Sequence, residues 1–304
     1  AALGPDHPHT LTTMGNLAAA YDAAAKPEKA LPLYEDCFRR SSAALGPDHP
    51  GTLIAMSNLA AAYHEAEKPD KAIPLMEECL RLRTAKLGPD HADTLASMSN
   101  LAVAYDEAGK TDKALPLYEE CFRLRTATLG PEHQDTLTSM SNLGTTYAET
   151  GHGEKAASTL SAYIEAQRKR LPKEDVRFAV ELAEVSLPLL RCNQFTTAEG
   201  MLRECYTLRA KKEPRSWSTF NAQSMLGGAL LGQKKYADAE PLLVKGYEGL
   251  KAREKAIPKE GATRIPEALD RLVVLYTALE KPDEVKKYQE LRAKYPAAKK
   301  DEKK

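Results

Sequence analysis

The sequence has little with which to build an aromatic interior: one Trp and five Phe in 304 residues, although 42% of the chain is apolar and Ala is abundant. That balance favours closely packed helices with small residues at their contacts over a wide aromatic core. Net charge is absent as well, since 43 basic side chains cancel 43 acidic ones. Such a surface has no general attraction to nucleic acid, to an anionic membrane or to acidic substrates, so partner choice falls to local features. Also missing is any apolar run near the roughly 18 residues that span a bilayer. The opening AALGPDHPHT lacks the basic region and apolar stretch of a secretory signal. The expectation is a soluble, cytoplasmic chain with neither nucleic-acid nor membrane partners. It has no initiator Met and opens two residues before a repeat boundary, as a piece cut from a longer protein would. The five Cys (37, 79, 121, 192 and 205) are odd in number, show no C-x-x-C spacing and fall within apolar helical patterns, which reads as buried, reduced thiols.

What is present is repetition. LGPDHP at Leu3 returns as LGPDHP at Leu45, LGPDHA at Leu87 and LGPEHQ at Leu129, a stride of 42 residues. Four units of this length cover Leu3 to Arg170. In the first unit Leu11, Met14, Leu17, Ala18 and Tyr21 form one stripe of a helix, called helix A here. After the breaker KPEK, where Pro27 suits a first helical turn, Ala30, Leu33, Tyr34, Cys37 and Phe38 form the stripe of a second, helix B. Neither helix alone hides its apolar face, so each unit must stack on its neighbours in a one-dimensional core. Small residues recur where helices approach most closely: Ala18, Ala60, Ala102 and Gly144 on helix A, and Ala30, Ala72, Ala114 and Ala156 on helix B.

NLAAAY (Asn16 to Tyr21) followed by KPEKALPLYEDC resembles the tetratricopeptide repeat, and the 42-residue unit with LGPDHPxTL resembles the variant found in kinesin light chains. The resemblance implies an all-α, right-handed α-solenoid. Pro32, Pro74 and Pro116 sit inside helix B, where each removes a hydrogen bond; the same variant carries Pro there. From Leu171 the stride loosens but the pattern persists. LAEVSLPLL with FTTAEGMLRECYTLR makes a fifth pair, MLGGALLG with KKYADAEPLLVKGYEGL a sixth, and ALDRLVVLY with KPDEVKKYQELR a seventh. The expected organisation is four regular units over 1–170, three divergent units over 171–296, about fourteen helices in all, and a Lys-rich tail at 297–304. Residues 253–266 read as a longer loop. The block SWSTFNAQSMLGGALLGQKKYADAEPLL is similar to the repeat region of planctomycete serine/threonine kinases, which implies a bacterial signalling parent.

Motifs for chemistry are lacking. A kinase core needs a glycine-rich strand-turn-strand, an H-R-D loop and a D-F-G site, and none of these strings occurs. Gly151-His152-Gly153 has no GK[ST] after it and reads as a helix-helix turn. His7, His49, His91 and His133 recur beside an acid in every unit, but stacked units place equivalent residues about 8–10 Å apart or more, while zinc ligands all lie roughly 2.0–2.3 Å from one ion. The D-H-P string is instead read as a cap for helix A. Cys37, Cys79 and Cys121 share a core-facing place with Cys205 and are read as packing. No cofactor, metal site or catalytic set is expected, and the chain is read as a non-enzyme.

In the architecture implied by the resemblance, helix A lines a concave wall, so its residues outside the apolar stripe are the candidate peptide-binding set. These are Thr12, Gly15, Asn16, Ala19 and Asp22; then Ser57, Asn58, Ala61, His64 and Glu65; then Ser99, Asn100, Val103, Asp106 and Glu107; then Ser141, Asn142, Thr145 and Glu149. One Asn per unit offers an amide donor and acceptor to the backbone of an extended peptide. The alternative reading is that this Asn bonds its own neighbours. Ser or Gly precedes it where carboxylate-clamp members of the family carry Lys, which argues against acidic C-terminal peptides. The acidic lip at Asp22, Glu65, Asp106, Glu107 and Glu149 suits a basic partner. Three roles stay open on sequence: an interaction module for a protein or peptide, a regulatory arm acting in cis on a kinase or caspase-like protease domain of the same parent chain, and a self-assembling structural repeat.

Overall fold

The computed structural model describes residues 3–172 and 174–295, so the Lys-rich tail expected at 297–304 lies outside the described residues. Among the described residues there is no strand, and fourteen α-helices pair into seven helix-turn-helix units of an all-α solenoid. They are α1 (Pro8–Ala23) with α2 (Pro27–Leu45), α3 (Pro50–Glu65) with α4 (Pro69–Leu87), α5 (Ala92–Glu107) with α6 (Thr111–Leu129), and α7 (Gln134–Glu149) with α8 (Gly153–Arg170). The remaining pairs are α9 (Val176–Arg191) with α10 (Phe195–Lys212), α11 (Trp217–Gly232) with α12 (Tyr236–Lys251), and α13 (Arg264–Ala278) with α14 (Pro282–Arg292). No helix among the described residues is long and apolar enough to cross a membrane. The chain falls into two compact bodies, Ala1–Leu143 and Gly144–Lys304, divided within α7.

One backbone device ends all seven first helices. A residue with positive φ stands just past each: Ala25, Glu67, Gly109, Gly151, Asn193, Lys234 and Glu280. The N–H of the next residue then reaches back five positions, as in Lys68 to the Tyr63 carbonyl at 2.9 Å, Lys110 to Tyr105 at 2.8 Å and Lys235 to Leu230 at 2.9 Å. This is the Schellman closure, which satisfies carbonyls that the helix end would leave open. The spacing of these residues stays at 42 from Ala25 through Glu67, Gly109 and Gly151 to Asn193, so the stride outlasts the LGPDHP string.

Packing follows the small residues. Ala18, Ala60, Ala102 and their helix-B counterparts Ala30, Ala72, Ala114 and Ala156 are buried to 1% exposure or less. At Gly144 a Cβ would meet the Leu160 side chain at 2.6 Å, so α7 and α8 touch almost backbone to side chain there. Each Cys of the repeating set seals its own pair: Cys37 Sγ donates to the Leu11 carbonyl at 3.4 Å, Cys121 to Leu95 at 3.6 Å and Cys205 to Ala179 at 3.2 Å. Burial pushes all of these thiols upward in pKa, so they stay protonated. Pro32, Pro74 and Pro116 lie within α2, α4 and α6 without ending them.

The junctions between units are held by residues that the repeat pattern did not single out. Arg83, at the end of α4, donates from Nη1 to Ser97 Oγ at 2.7 Å and to the Asp93 carbonyl at 3.1 Å, both on α5. Arg125 on α6 repeats this with Ser139 Oγ at 2.7 Å and the Asp135 carbonyl at 3.2 Å on α7. Both arginines are buried. Residues 253–266 differ from the loop expected: two short 3-10 turns, Glu254–Ala256 and Lys259–Gly261, lead into α13, which begins at Arg264. Pro266 falls in its first turn, where a missing N–H leaves no bond unmade.

The left-handed closures yield a sharp test. Gly109 has φ +71 and no heavy atom within 4 Å of a built Cβ, so Gly109→Ala adds strain without a clash. It is expected to lower stability by about 1 kcal/mol in urea unfolding, while Ala25→Gly raises it by a similar amount. Equal midpoints for both variants and the parent would remove the assigned role of the closure.

Candidate functional site

Stacking consumes the apolar stripe of each first helix and leaves a second stripe, fixed by its distance from the left-handed residue that ends the helix. On α3 it carries Ser57, Asn58, His64 and Glu65, and on α5 Ser99, Asn100, Asp106 and Glu107. Asn16 stands at the same register on α1, and Ser141 and Asn142 on α7. Asn16 and Asn100 are exposed; Ser57, Asn58 and Ser99 are half-buried. Among the described residues the side-chain amides of Asn16, Asn58 and Asn100 hold no partner within the chain, whereas Asn142 and Glu149 are engaged. The reading in which this Asn merely bonds its neighbours therefore does not describe the first three units.

Some members of the set are brought together. His64 Nε2 lies 2.9 Å from Glu107 Oε2 across successive first helices, though poorly aligned for a hydrogen bond. Ser57 and Asn100 line one small space with Cys79 and Ser97, of about 10 Å³, the scale of a single water. Asp22 and Glu65 line a cavity of about 440 Å³ floored by Ala30, Leu31 and Ala62. Asp106 is partly satisfied, accepting from Thr111 Oγ1 at 3.1 Å.

Tyrosines on the same helices tie successive units together. Tyr63 donates to Glu35 Oε1 at 2.6 Å and Tyr105 to Glu77, with Lys71 and Lys113 over their rings at 5.2 and 5.4 Å. Burial first, and then the adjacent carboxylate, pushes both phenols up to about 12, so they act as protonated struts. The four recurring histidines are caps. Nδ1 of His7, His49, His91 and His133 accepts the N–H two residues on, at 3.2, 3.1, 3.1 and 3.2 Å. Among the described residues no three His, Cys, Asp or Glu side chains converge on one point.

A larger feature escaped the sequence reading. Counted back from the left-handed residue, Glu65, His64, Asn58 and Ser57 on α3 correspond to Arg191, Leu190, Glu184 and Ala183 on α9, and to Gly232, Leu231, Met225 and Ser224 on α11. On α13 the same register gives Ala278, Thr277, Arg271 and Asp270, with Val274 between. In the second body this stripe is mixed: Leu190 and Leu231 stand where the first body has Asp22, His64 and Asp106, beside the charged Glu184, Arg191, Asp270 and Arg271. There it lines a groove of about 610 Å³ with Leu187, Leu190, Phe195, Leu231, Tyr236 and Val274 on its walls. Glycine shapes the floor: a Cβ on Gly228 would stand 3.0 Å from the Arg271 side chain, and one on Gly232 would be 2.4 Å from the Phe195 ring. The signal was present in LPLLR and MLGGALLG, but an apolar residue reads as core until the turn register shows which way its stripe faces.

Comparison with known proteins agrees with this architecture. A family model described as tetratricopeptide repeat matches residues 1–43, 28–85, 67–127 and 107–169. Among solved structures, the nearly identical tetratricopeptide-like repeats of a Podosopora anserina protein of the kinesin light chain kind are 26% identical, cover 68% of this chain and 98% of that one, and superpose with a TM-score of 0.62. A tetratricopeptide repeat protein from Parabacteroides merdae is 15% identical over 95% of this chain and 94% of that one, with a TM-score of 0.60. The apo form of RapI is 11% identical over 94% and 97%, with a TM-score of 0.65. These last two show the fold alone. A search of curated proteins gives no match.

The caps can be tested directly. His91→Ala removes the acceptor for the Asp93 N–H and is expected to cost about 1 kcal/mol in thermal or urea unfolding, with most of it restored by His91→Asn. Equal loss in the Ala and Asn variants would show that the ring packs rather than caps.

Proposed function

Since the chain belongs to the tetratricopeptide repeat family, whose fold is typically a non-catalytic scaffold for binding other proteins, we propose that its first body holds an extended segment of a partner protein along the Asn-bearing face of α1, α3 and α5. The observation that carries this reading is the open amides of Asn16, Asn58 and Asn100, one per unit and bonded to nothing within the chain among the described residues. Each can give and take a hydrogen bond with a peptide backbone irrespective of its side chains. Beside them the carboxylates of Asp22 and Glu65 share a cavity, and Glu107 stands by His64. Lys or Arg side chains next to small apolar ones suit that neighbourhood. A cytoplasmic, bacterial signalling setting, with a catalytic domain elsewhere in a parent chain as one source of the bound segment, belongs to the same proposal.

The test is capture of partner proteins from a native lysate by the full chain and by Asn58→Ala/Asn100→Ala, after equal helicity has been verified by circular dichroism. A specific protein held by the parent and reduced about tenfold on the variant, equivalent to about 1.4 kcal/mol, supports the face assigned here. Equal retention by both would place the contact elsewhere.

A further inference from the structure

We infer that the groove formed by α9, α11 and α13 is a second binding site, independent of the Asn-bearing face, and that it takes a segment of a partner protein in which apolar side chains alternate with carboxylates. Its volume of about 610 Å³ falls within the roughly 300–1,000 Å³ typical of ligand-holding clefts. Two of its wall residues, Leu190 and Leu231, stand at the register position that the first body fills with Asp22, His64 and Asp106. Val274 is 56% exposed on one wall although the same helix buries Leu272 and Leu275 completely, so apolar surface is left facing solvent where stacking does not require it.

The charges decide the occupant. The two acids of the groove are already neutralised: Glu267 sits 2.9 Å from Arg264 and 3.7 Å from Arg271, and Asp270 sits 2.7 Å from Arg292. Two cations are not. Arg191, the last residue of α9, and Lys234, in the turn after α11, line the groove and have no ion-pair or hydrogen-bond partner among the described residues. Arg271, only 16% exposed, is spent on Glu267 and on Ser224 Oγ, to which it donates at 3.1 Å. An apolar trough bordered by two unpaired cations, one at the end of α9 and one in the turn after α11, complements a chain that repeats apolar and acidic side chains, and repels a basic one. The two bodies are therefore complementary to segments of different chemistry.

The experiment is fluorescence anisotropy on the full chain with three short fluorescein-labelled peptides: alternating leucine and glutamate, alternating leucine and lysine, and alternating serine and glutamate. The leucine–glutamate peptide is expected to bind at least about tenfold more tightly than either of the others. Arg191→Glu/Lys234→Glu should reverse the preference in favour of leucine–lysine. Val274→Asp, at an exposed position, should abolish the leucine-dependent part with helicity unchanged, and Asn58→Ala/Asn100→Ala should leave this binding intact even if the first-body face proves not to hold a partner. Absence of leucine–glutamate binding, indifference to the charge reversal, or saturation by laurate in place of the peptide would overturn the assignment.

Discussion

Everything in this molecule depends on the contact between the second helix of one unit and the first helix of the next. A single helix pair exposes one apolar stripe of each helix, and only a neighbouring unit can cover it. Leu17 is 48% exposed on α1, whereas Leu59 and Leu101 at the same register on α3 and α5 are exposed to 4% and 3%. The contact also has polar register pins. Arg83 and Arg125 reach from α4 and α6 to a serine hydroxyl and a backbone carbonyl at the start of α5 and α7, and a buried guanidinium demands those acceptors, which penalises a slipped junction.

From that constraint the functional surface follows. Stacking occupies one stripe of each first helix; the left-handed closure fixes where that helix ends and therefore which residues form the stripe that remains. Selection is free to vary that second stripe without disturbing the core. In the first body it is polar and presents open amides; in the second it combines Leu190 and Leu231 with charged residues and borders an apolar groove. One backbone plan thus carries the two surfaces to which we assign different partners, as expected of a fold whose function resides in residues placed on a scaffold rather than in the scaffold itself.

Much of this was legible beforehand, and the parts that were not have physical causes. The 42-residue stride, the helix pairing, the close-packed Ala series and the burial of Cys37, Cys79, Cys121 and Cys205 all follow from periodicity, because stacking repeats the same environment at every unit; Cys192, outside that series, is half-buried rather than buried as expected. Identifying the DHP string with a helix cap was likewise possible, though that the His ring itself accepts the bond emerged only from the Nδ1 distances. Arg83 and Arg125 escaped because a charged residue late in an amphipathic helix normally reads as solvated. The groove escaped because Leu187, Leu190 and Leu231 look like core in a one-dimensional pattern. Only Asn193 and Lys234, with their positive φ, reveal that Leu190 and Leu231 stand at the register of His64, and Leu187 at that of Ala61. The identity of a bound segment is not encoded in the repeat at all, since repetition reports what the units share.

The most direct test of nearest-neighbour stacking is urea unfolding of the chain ending at residue 170, followed by circular dichroism beside the full chain. If each unit is held chiefly by its neighbours, the shorter chain keeps the same helicity per residue and unfolds cooperatively at a lower midpoint. Complete loss of helical structure on removing 171–304 would contradict the account, because it would mean that distant units, rather than adjacent ones, hold the first four together.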